Sequence, residues 1–108
     1  MGMIRGTTPD YVLTLPGIDL DGMTVYVTIE QKDREITLSG DELTVVSDGE
    51  DSTIAFMLTQ EQTLALNEGQ ASVQVKFIDA AGVVGATKIG RLTIDKALLE
   101  KVIEYDGD

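Results

Sequence analysis

Histidine and cysteine, the residues that most often serve as general base, nucleophile or transition-metal ligand, are absent from this 108-residue chain. Catalysis would therefore depend on carboxylates or lysine. Nineteen acidic residues make some close carboxylate pair unavoidable, but a glycosidase-type pair needs a substrate cleft, for which one small domain leaves little material. We predict that the protein is not an enzyme, and we assign no catalytic residue and no cofactor.

Two acidic segments are the candidate metal sites. Asp19-Leu20-Asp21-Gly22 has the opening of a calcium loop, but strand residues follow where an EF-hand needs further oxygen ligands, so a structural turn is predicted there. The second segment, Asp48-Gly49-Glu50-Asp51, places three carboxylates at a hairpin tip. Weak calcium binding and an ordinary acidic loop are both compatible with it, and we assign no metal ligand.

Charge excludes several classes of partner. Eight basic against nineteen acidic residues give a net charge of -11, which repels nucleic acid and anionic membranes and attracts cationic partners. The same charge also favours solubility, so it does not by itself imply a partner. The longest apolar runs fall well short of the roughly 18 residues that span a bilayer, and residues 1–5 do not resemble a secretory signal.

The elements that must position any binding residue are predominantly strands. Residues 23–30 alternate strictly, with Met23, Val25, Val27 and Ile29 on one face. Gly90 interrupts the alternation of the last strand, which predicts a β-bulge there. Turn residues such as Pro16-Gly17 and Asp48-Gly49 separate the strands. Seven strands are predicted, at residues 11–15, 23–30, 36–38, 43–46, 53–58, 71–77 and 89–94, and they favour an immunoglobulin-like antiparallel β-sandwich over residues 10–94 of one domain spanning 1–108.

Two segments have helical signals. Thr59 followed by Gln62 fits a capping box, which predicts one or two helical turns near residues 59–66. In the segment 95–105, Asp95 can cap a helix whose apolar residues recur at three- and four-residue spacing. Residues 95–108 are therefore interpreted as a helical or extended tail.

Candidate partner contacts are apolar residues without an evident place in the core. Tyr26 shares the outward face of its strand with Thr24 and Thr28. In the tail, the apolar stripe either covers its own sandwich or binds another subunit. The candidate contacts are Tyr26, Leu98, Leu99, Val102 and Ile103.

One family resembles the chain over most of its length. The segment Met3-Ile4-Arg5-Gly6-Thr7-Thr8-Pro9, the stretch 58–64 and the strands at 69–77 and 89–94 are similar to the amino-terminal immunoglobulin-like region of phage baseplate upper proteins. That resemblance implies a protein that attaches components of a phage tail, with no catalytic residues. The chain ends soon after this region, without the long carboxyl-terminal part of that family.

Three functional hypotheses follow. The first is a structural protein of a phage or prophage tail or baseplate, located in the virion, which binds other virion or tail proteins or further copies of itself through the 98–103 stripe or an exposed strand edge. The second is an acidic bacterial surface or adhesion module, with or without calcium. The third is an inhibitor or decoy that binds a basic partner.

Overall fold

The alternation of apolar and polar residues is reproduced in the strands of the computed structural model, which describes residues 2–87, 89–98 and 102. In the third strand, Val25, Val27 and Ile29 are buried while Thr24, Tyr26 and Glu30 are exposed. The strands are β1 (Gly2–Ile4), β2 (Asp10–Leu15), β3 (Thr24–Gln31), β4 (Arg34–Ser39), β5 (Thr44–Ser47), β6 (Ser52–Met57), β7 (Gly69–Ile78), β8 (Val84–Ala86) and β9 (Gly90–Asp95); a 3₁₀ helix covers Gly40–Glu42 and helix α1 covers Gln60–Ala65.

The strands form two sheets. Sheet A has the order β1-β9-β7-β3-β4, with β8 also paired to β7, and sheet B has the order β2-β6-β5. All pairs are antiparallel except β1 with β9, which is parallel. The β1–β2, β2–β3, β4–β5 and β6–β7 connections cross between the sheets, as in immunoglobulin-like sandwiches. The predicted fold class is confirmed.

The core lies between the two sheets. Inward residues of every long strand contribute to it, and three leucines from the connections, Leu20, Leu58 and Leu66, are almost completely buried. Burying a side chain of this size stabilises the fold by about 1.5–3 kcal/mol relative to leaving it exposed. The sandwich therefore closes without a disulfide, consistent with the absence of cysteine.

All seven predicted strands are present, and two short strands were missed. The missed strands are β1 and β8, each of three residues, a length too short to display an alternation.

The predicted β-bulge is confirmed by the register of β7. Lys76 pairs with Ala86, and the same register would place Ile89 opposite Val73, but Gly90 occupies that position. One extra residue is thus inserted between β8 and β9.

The two helical predictions have different outcomes. The capping box of α1 is confirmed, since Thr59 Oγ1 accepts from the Gln62 N–H at 3.1 Å and Gln62 Oε1 accepts from the Thr59 N–H at 2.8 Å. The prediction that Asp95 caps a helix is wrong, because Asp95 is the last residue of β9 and residues 96–98 are not helical. Most of the remaining segment predicted as helical, up to residue 105, lies outside the described residues. In the described part of the chain, no helix is long and apolar enough to cross a membrane.

Candidate interaction surface

The predicted contact residues do not form one surface. Tyr26 projects from the outer face of sheet A, is 40% exposed, and is flanked by Ser39 and Lys76 on the neighbouring strands. Leu98 is fully exposed and Val102 is 40% exposed. The other two candidates, Leu99 and Ile103, lie outside the described residues. The role of all five as contacts stays a prediction.

The outer face of sheet A is polar and carries both charges. A shallow depression of about 310 Å³ lies on it, between Glu30 and Glu35 on one side and Lys76 on the other. Beside it, the hydroxyls of Thr28 and Thr37 are 3.3 Å apart. Mixed charges and paired hydroxyls are well hydrated, which makes the centre of this face a poor docking site. Apolar side chains lie around that centre, since Ile4, Val84 and Ile89 are 49%, 61% and 65% exposed on the same face.

The acidic loops use their carboxylates to hold turns. Asp19 Oδ1 accepts from Ser47 Oγ at 2.6 Å and from the Asp21 N–H at 3.0 Å. Asp48 Oδ1 accepts from the N–H groups of Asp51 and Glu50. These hydrogen bonds lower the pKa of Asp19, chiefly through Ser47, and the pKa of Asp48, chiefly through the Asp51 amide. Within residues 2–87, 89–98 and 102, no group of three acidic side chains is arranged to hold a metal ion.

The outer face of sheet B is almost free of charge. We use this name for the residues that point away from the core on its three strands: Asp10, Val12, Thr14, Thr44, Val46, Thr53, Ala55 and Met57. Asp10 is the single ionised side chain among them. Val12, Val46 and Met57 are 66%, 60% and 56% exposed. Four of the eight side chains are apolar and three are threonines, and Glu42 lines the same depression as Asp10 on this face. The face therefore has few charges for a chain in which 25% of residues are charged.

The β2 strand is an edge whose outer backbone groups are regularly arranged. The Leu58 N–H donates to the Pro9 carbonyl at 3.2 Å, and in an antiparallel pair the residues that exchange such bonds alternate along the strand. Tyr11, Leu13 and Leu15 therefore bond to β6, and the backbone groups of Asp10, Val12 and Thr14 point the opposite way. Among the described residues, β6 is the only strand paired with β2.

A lateral cleft adjoins this edge. It measures about 210 Å³, and Leu13 and Leu15 of β2 line it together with Val73 and Val75 of β7. At one end, Tyr11 closes the side of the sandwich, with its hydroxyl donating to the Gly2 carbonyl at 2.7 Å and its ring 5.5 Å from that of Phe56. The edge of β2 is thus open beside an apolar cleft.

The segment that carries the baseplate resemblance has structural roles. The Arg5 guanidinium donates to the carbonyls of Leu66 at 2.6 Å and Leu64 at 2.8 Å, at the carboxyl end of α1. Buried Thr63 donates its hydroxyl to the Thr7 carbonyl at 2.8 Å. These bonds tie the β1–β2 connection to the helix, so the motif explains packing and identifies no binding residue.

The sequence did contain a signal for the surface residues that we missed. Val12 lies in an apolar run from Tyr11 to Leu13, and Met57 follows Phe56 directly. An apolar residue on the opposite face from the core residues of the same strand is exposed unless something covers it. Applying that rule to every strand would have singled out Val12 and Met57.

No family model matches the chain, and no curated protein sequence is significantly similar to it. Among solved structures, AggA, the major subunit of aggregative adherence fimbriae type I from Escherichia coli, is 9% identical, with a TM-score of 0.44 and 89% of each chain covered. A variant of the SrpA adhesin from Streptococcus sanguinis is 11% identical, with a TM-score of 0.44, and the alignment covers 89% of this chain and 55% of the adhesin chain. Neither is a phage protein, and the baseplate resemblance stays a prediction.

Proposed function

We propose that the chain is a non-enzymatic protein-binding module that docks on its partner through the outer face of sheet B. The observation that carries this proposal is the exposure of Val12, Val46 and Met57 on a face whose ionised side chains, Asp10 on β2 and Glu42 beside the sheet, line one depression. Charged residues are depleted at the centre of protein interfaces because removing them from water is costly. Threonine and valine side chains have few rotamers to lose on binding.

The chemistry of the partner follows from the charge around this face. The rest of the molecule is acidic, with a net charge of -11, so its field favours a partner with an apolar patch bordered by lysine or arginine. Such a field accelerates association at low ionic strength and is screened by salt. Binding should therefore become slower as salt is added, while the rate of dissociation changes little.

The cellular setting is a separate part of the proposal. A tail or baseplate component of a virion and a bacterial surface or adhesion module would both use a docking face of this kind. Peptide mass spectrometry of gradient-purified particles from the source strain distinguishes them. A fixed ratio of this chain to the major capsid protein supports the virion setting, and particles that lack the chain contradict it.

The docking face is tested by site-specific photo-crosslinking in the source cell. A photoreactive amino acid at Met57 should give one discrete adduct, and the same group at Glu35, an exposed residue of sheet A, should give none. Val46→Glu in the chain that carries the probe at Met57 should remove the adduct, because it buries a charge at the interface, while the far-UV circular dichroism stays unchanged. Adducts of equal yield at Met57 and Glu35, or an adduct that survives Val46→Glu, would contradict the proposal.

A further inference from the structure

Every sheet edge except one carries a feature that discourages pairing with another strand. Short length, charge, bulges and proline are the usual means of protecting an edge. Strands β1 and β8 have three residues each, β8 runs into the bulge, and β5 has four residues. The β4 edge begins with the charged pair Arg34-Glu35. These four edges are poor templates for a further strand.

The β2 edge has those protections only at its two ends. It has six residues, Asp10 is its single ionised side chain, and Pro9 and Pro16 lie just outside it. Its outward backbone groups, those of Asp10, Val12 and Thr14, offer three N–H donors and three carbonyl acceptors in strand geometry. The ligand that satisfies such a row is another extended strand.

We propose that this strand is β2 of a second copy, paired antiparallel about a two-fold axis at Val12. In that register Val12 faces Val12 of the second copy, and Asp10 faces Thr14 of the second copy in both directions. No like charges are opposed, and the outward backbone groups of all three residues find partners. The two three-stranded B sheets become one six-stranded sheet.

Neighbouring registers are less favourable. Centring the axis on Asp10 places two carboxylates opposite each other, which destabilises a cross-strand pair. Centring it on Leu13 or Thr14 places Pro16, which lacks an N–H, opposite a residue that needs that donor. Centring the axis on Tyr11 places Thr14 opposite Thr8, which lies outside β2. Only the register centred on Val12 pairs all three outward residues with one another.

The pairing also covers apolar surface. It brings the side of the sandwich that contains the lateral cleft against the second copy, so that the half-buried Leu13 loses its remaining contact with water. An isologous contact of this kind closes after two copies and does not propagate into a fibre. The proposal is independent of which protein docks on the outer face of sheet B.

The decisive experiment places a charged residue at position 12, on the proposed two-fold axis. Light scattering coupled to size-exclusion chromatography then measures the molar mass of each variant. The wild-type chain should have twice the 11.6 kDa mass of one copy. Val12→Lys and Val12→Glu should each raise the dissociation constant at least about tenfold, since like charges then face each other. An equimolar mixture of the two variants should recover the dimer, because lysine then faces glutamate.

Val46→Lys is the matched control, since Val46 is 60% exposed on the same face but lies on β5, away from the proposed axis. It should leave the dimer intact, and all variants should keep the wild-type circular dichroism spectrum. A wild-type chain that stays monomeric at every concentration overturns the proposal. A dimer that is insensitive to Val12→Lys, or a mixture that fails to recover it, overturns the proposal as well.

Single cysteines test the register, because the chain contains none of its own. Val12→Cys should form a disulfide-linked dimer on mild oxidation, since the Cα atoms of a hydrogen-bonded antiparallel pair are about 5.5 Å apart. Thr14→Cys should not link to itself, but it should link to Asp10→Cys in a mixture. Equal linking by Val12→Cys and Thr14→Cys alone contradicts the register. The Met57 crosslink to another protein is a separate readout, so failure of the dimer and failure of the docking face are distinguishable.

Discussion

At the scale of single residues, Arg5 shows how a conspicuous sequence motif can be explained by packing. Its guanidinium reaches the carbonyls of Leu64 and Leu66, about sixty positions further along the chain. These carbonyls lie at the end of α1, where backbone acceptors lack helical partners and a positive charge is favourable. The segment Arg5-Gly6-Thr7 thus anchors the helix against the first connection.

We expect Arg5→Met to lower the free energy of unfolding by about 1–3 kcal/mol, because it leaves two helix-end carbonyls without their charged donor. Chemical denaturation of the variant measures the loss. Arg34→Met, at an exposed position of β4, is the control and should change stability by less than about 0.5 kcal/mol. Equal stability of the two variants would show that the Arg5 hydrogen bonds contribute nothing.

The carboxylates of Asp19 and Asp48 make stability depend on acid. Hydrogen bonds in the folded state lower both pKa values, so folding is favoured fully above the unfolded pKa of about 3.9 and the gain is lost as pH falls through the lower folded values. We expect the melting temperature to fall below about pH 4. Both groups are solvent-exposed, so the effect is modest.

A melting series between neutral pH and about pH 2 in wild type and an Asp19→Asn/Asp48→Asn double variant tests this dependence. The variant should have a shallower acid-induced decrease. Asp33→Asn, in the exposed β3–β4 turn, should retain the wild-type profile. Parallel curves for wild type and the double variant would rule out these two carboxylates as the cause.

At the scale of elements, the side chain of Thr87 replaces a backbone acceptor at the bulge between β8 and β9. The Thr87 N–H donates to the Val75 carbonyl at 2.9 Å, but the Val75 N–H donates to Thr87 Oγ1 at 3.1 Å. The Thr87 carbonyl accepts instead from the side-chain amide of Gln74, whose Nε2 donates to it at 2.9 Å. The extra residue is accommodated without leaving the Val75 donor unpaired.

We expect Thr87→Val to destabilise the fold by about 1–3 kcal/mol, because it removes the acceptor from an N–H of a buried residue while keeping the shape of the side chain. Thr87→Ser keeps the hydroxyl and should lose less. Chemical denaturation compares the two variants, and hydrogen exchange of the Val75 amide should accelerate in Thr87→Val alone. A larger loss in Thr87→Ser than in Thr87→Val would assign the effect to packing of the methyl group and contradict the role of the hydroxyl.

At the scale of the whole molecule, β9 is the last strand of the sandwich that the described residues form. Leu92 and Ile94 are buried within that strand, Asp95 ends it, and Leu98 is fully exposed three residues later. The apolar stripe predicted for residues 98–103 therefore begins outside the core. Leu98 contributes no packing to the sandwich that the described residues form.

Leu98→Asp should consequently change the free energy of unfolding by less than about 0.5 kcal/mol. Leu92→Asp is the contrasting variant and should prevent folding, because it buries an unpaired charge in the core. Thermal unfolding followed by circular dichroism measures both. A loss above about 1 kcal/mol in Leu98→Asp would place that side chain against the sandwich and remove it as a candidate contact.

Local patterns determined much of this protein from the sequence alone. Alternation located β3, β6 and β7, and short apolar segments between turn residues located β2, β4, β5 and β9. Thr59 and Gln62 marked the start of α1, and Gly90 marked the bulge, because each of these signals involves residues within a few positions of one another. The mostly β composition of the elements then favoured a two-sheet sandwich. The net charge and the absence of histidine and cysteine were likewise available without a structure.

Only the tertiary structure decided which strands have a free edge and which outward residues remain exposed. Whether an edge of β2 is free depends on the strands that pair with it, and the pairing with β6 joins residues far apart in sequence, such as Val12 with Ala55. The short strands β1 and β8 form for the same reason, since their partners β9 and β7 supply the hydrogen bonds that three residues cannot specify. Strand pairing is non-local, so the open β2 edge and the outer face of sheet B, with its few charges, form only when the chain has folded.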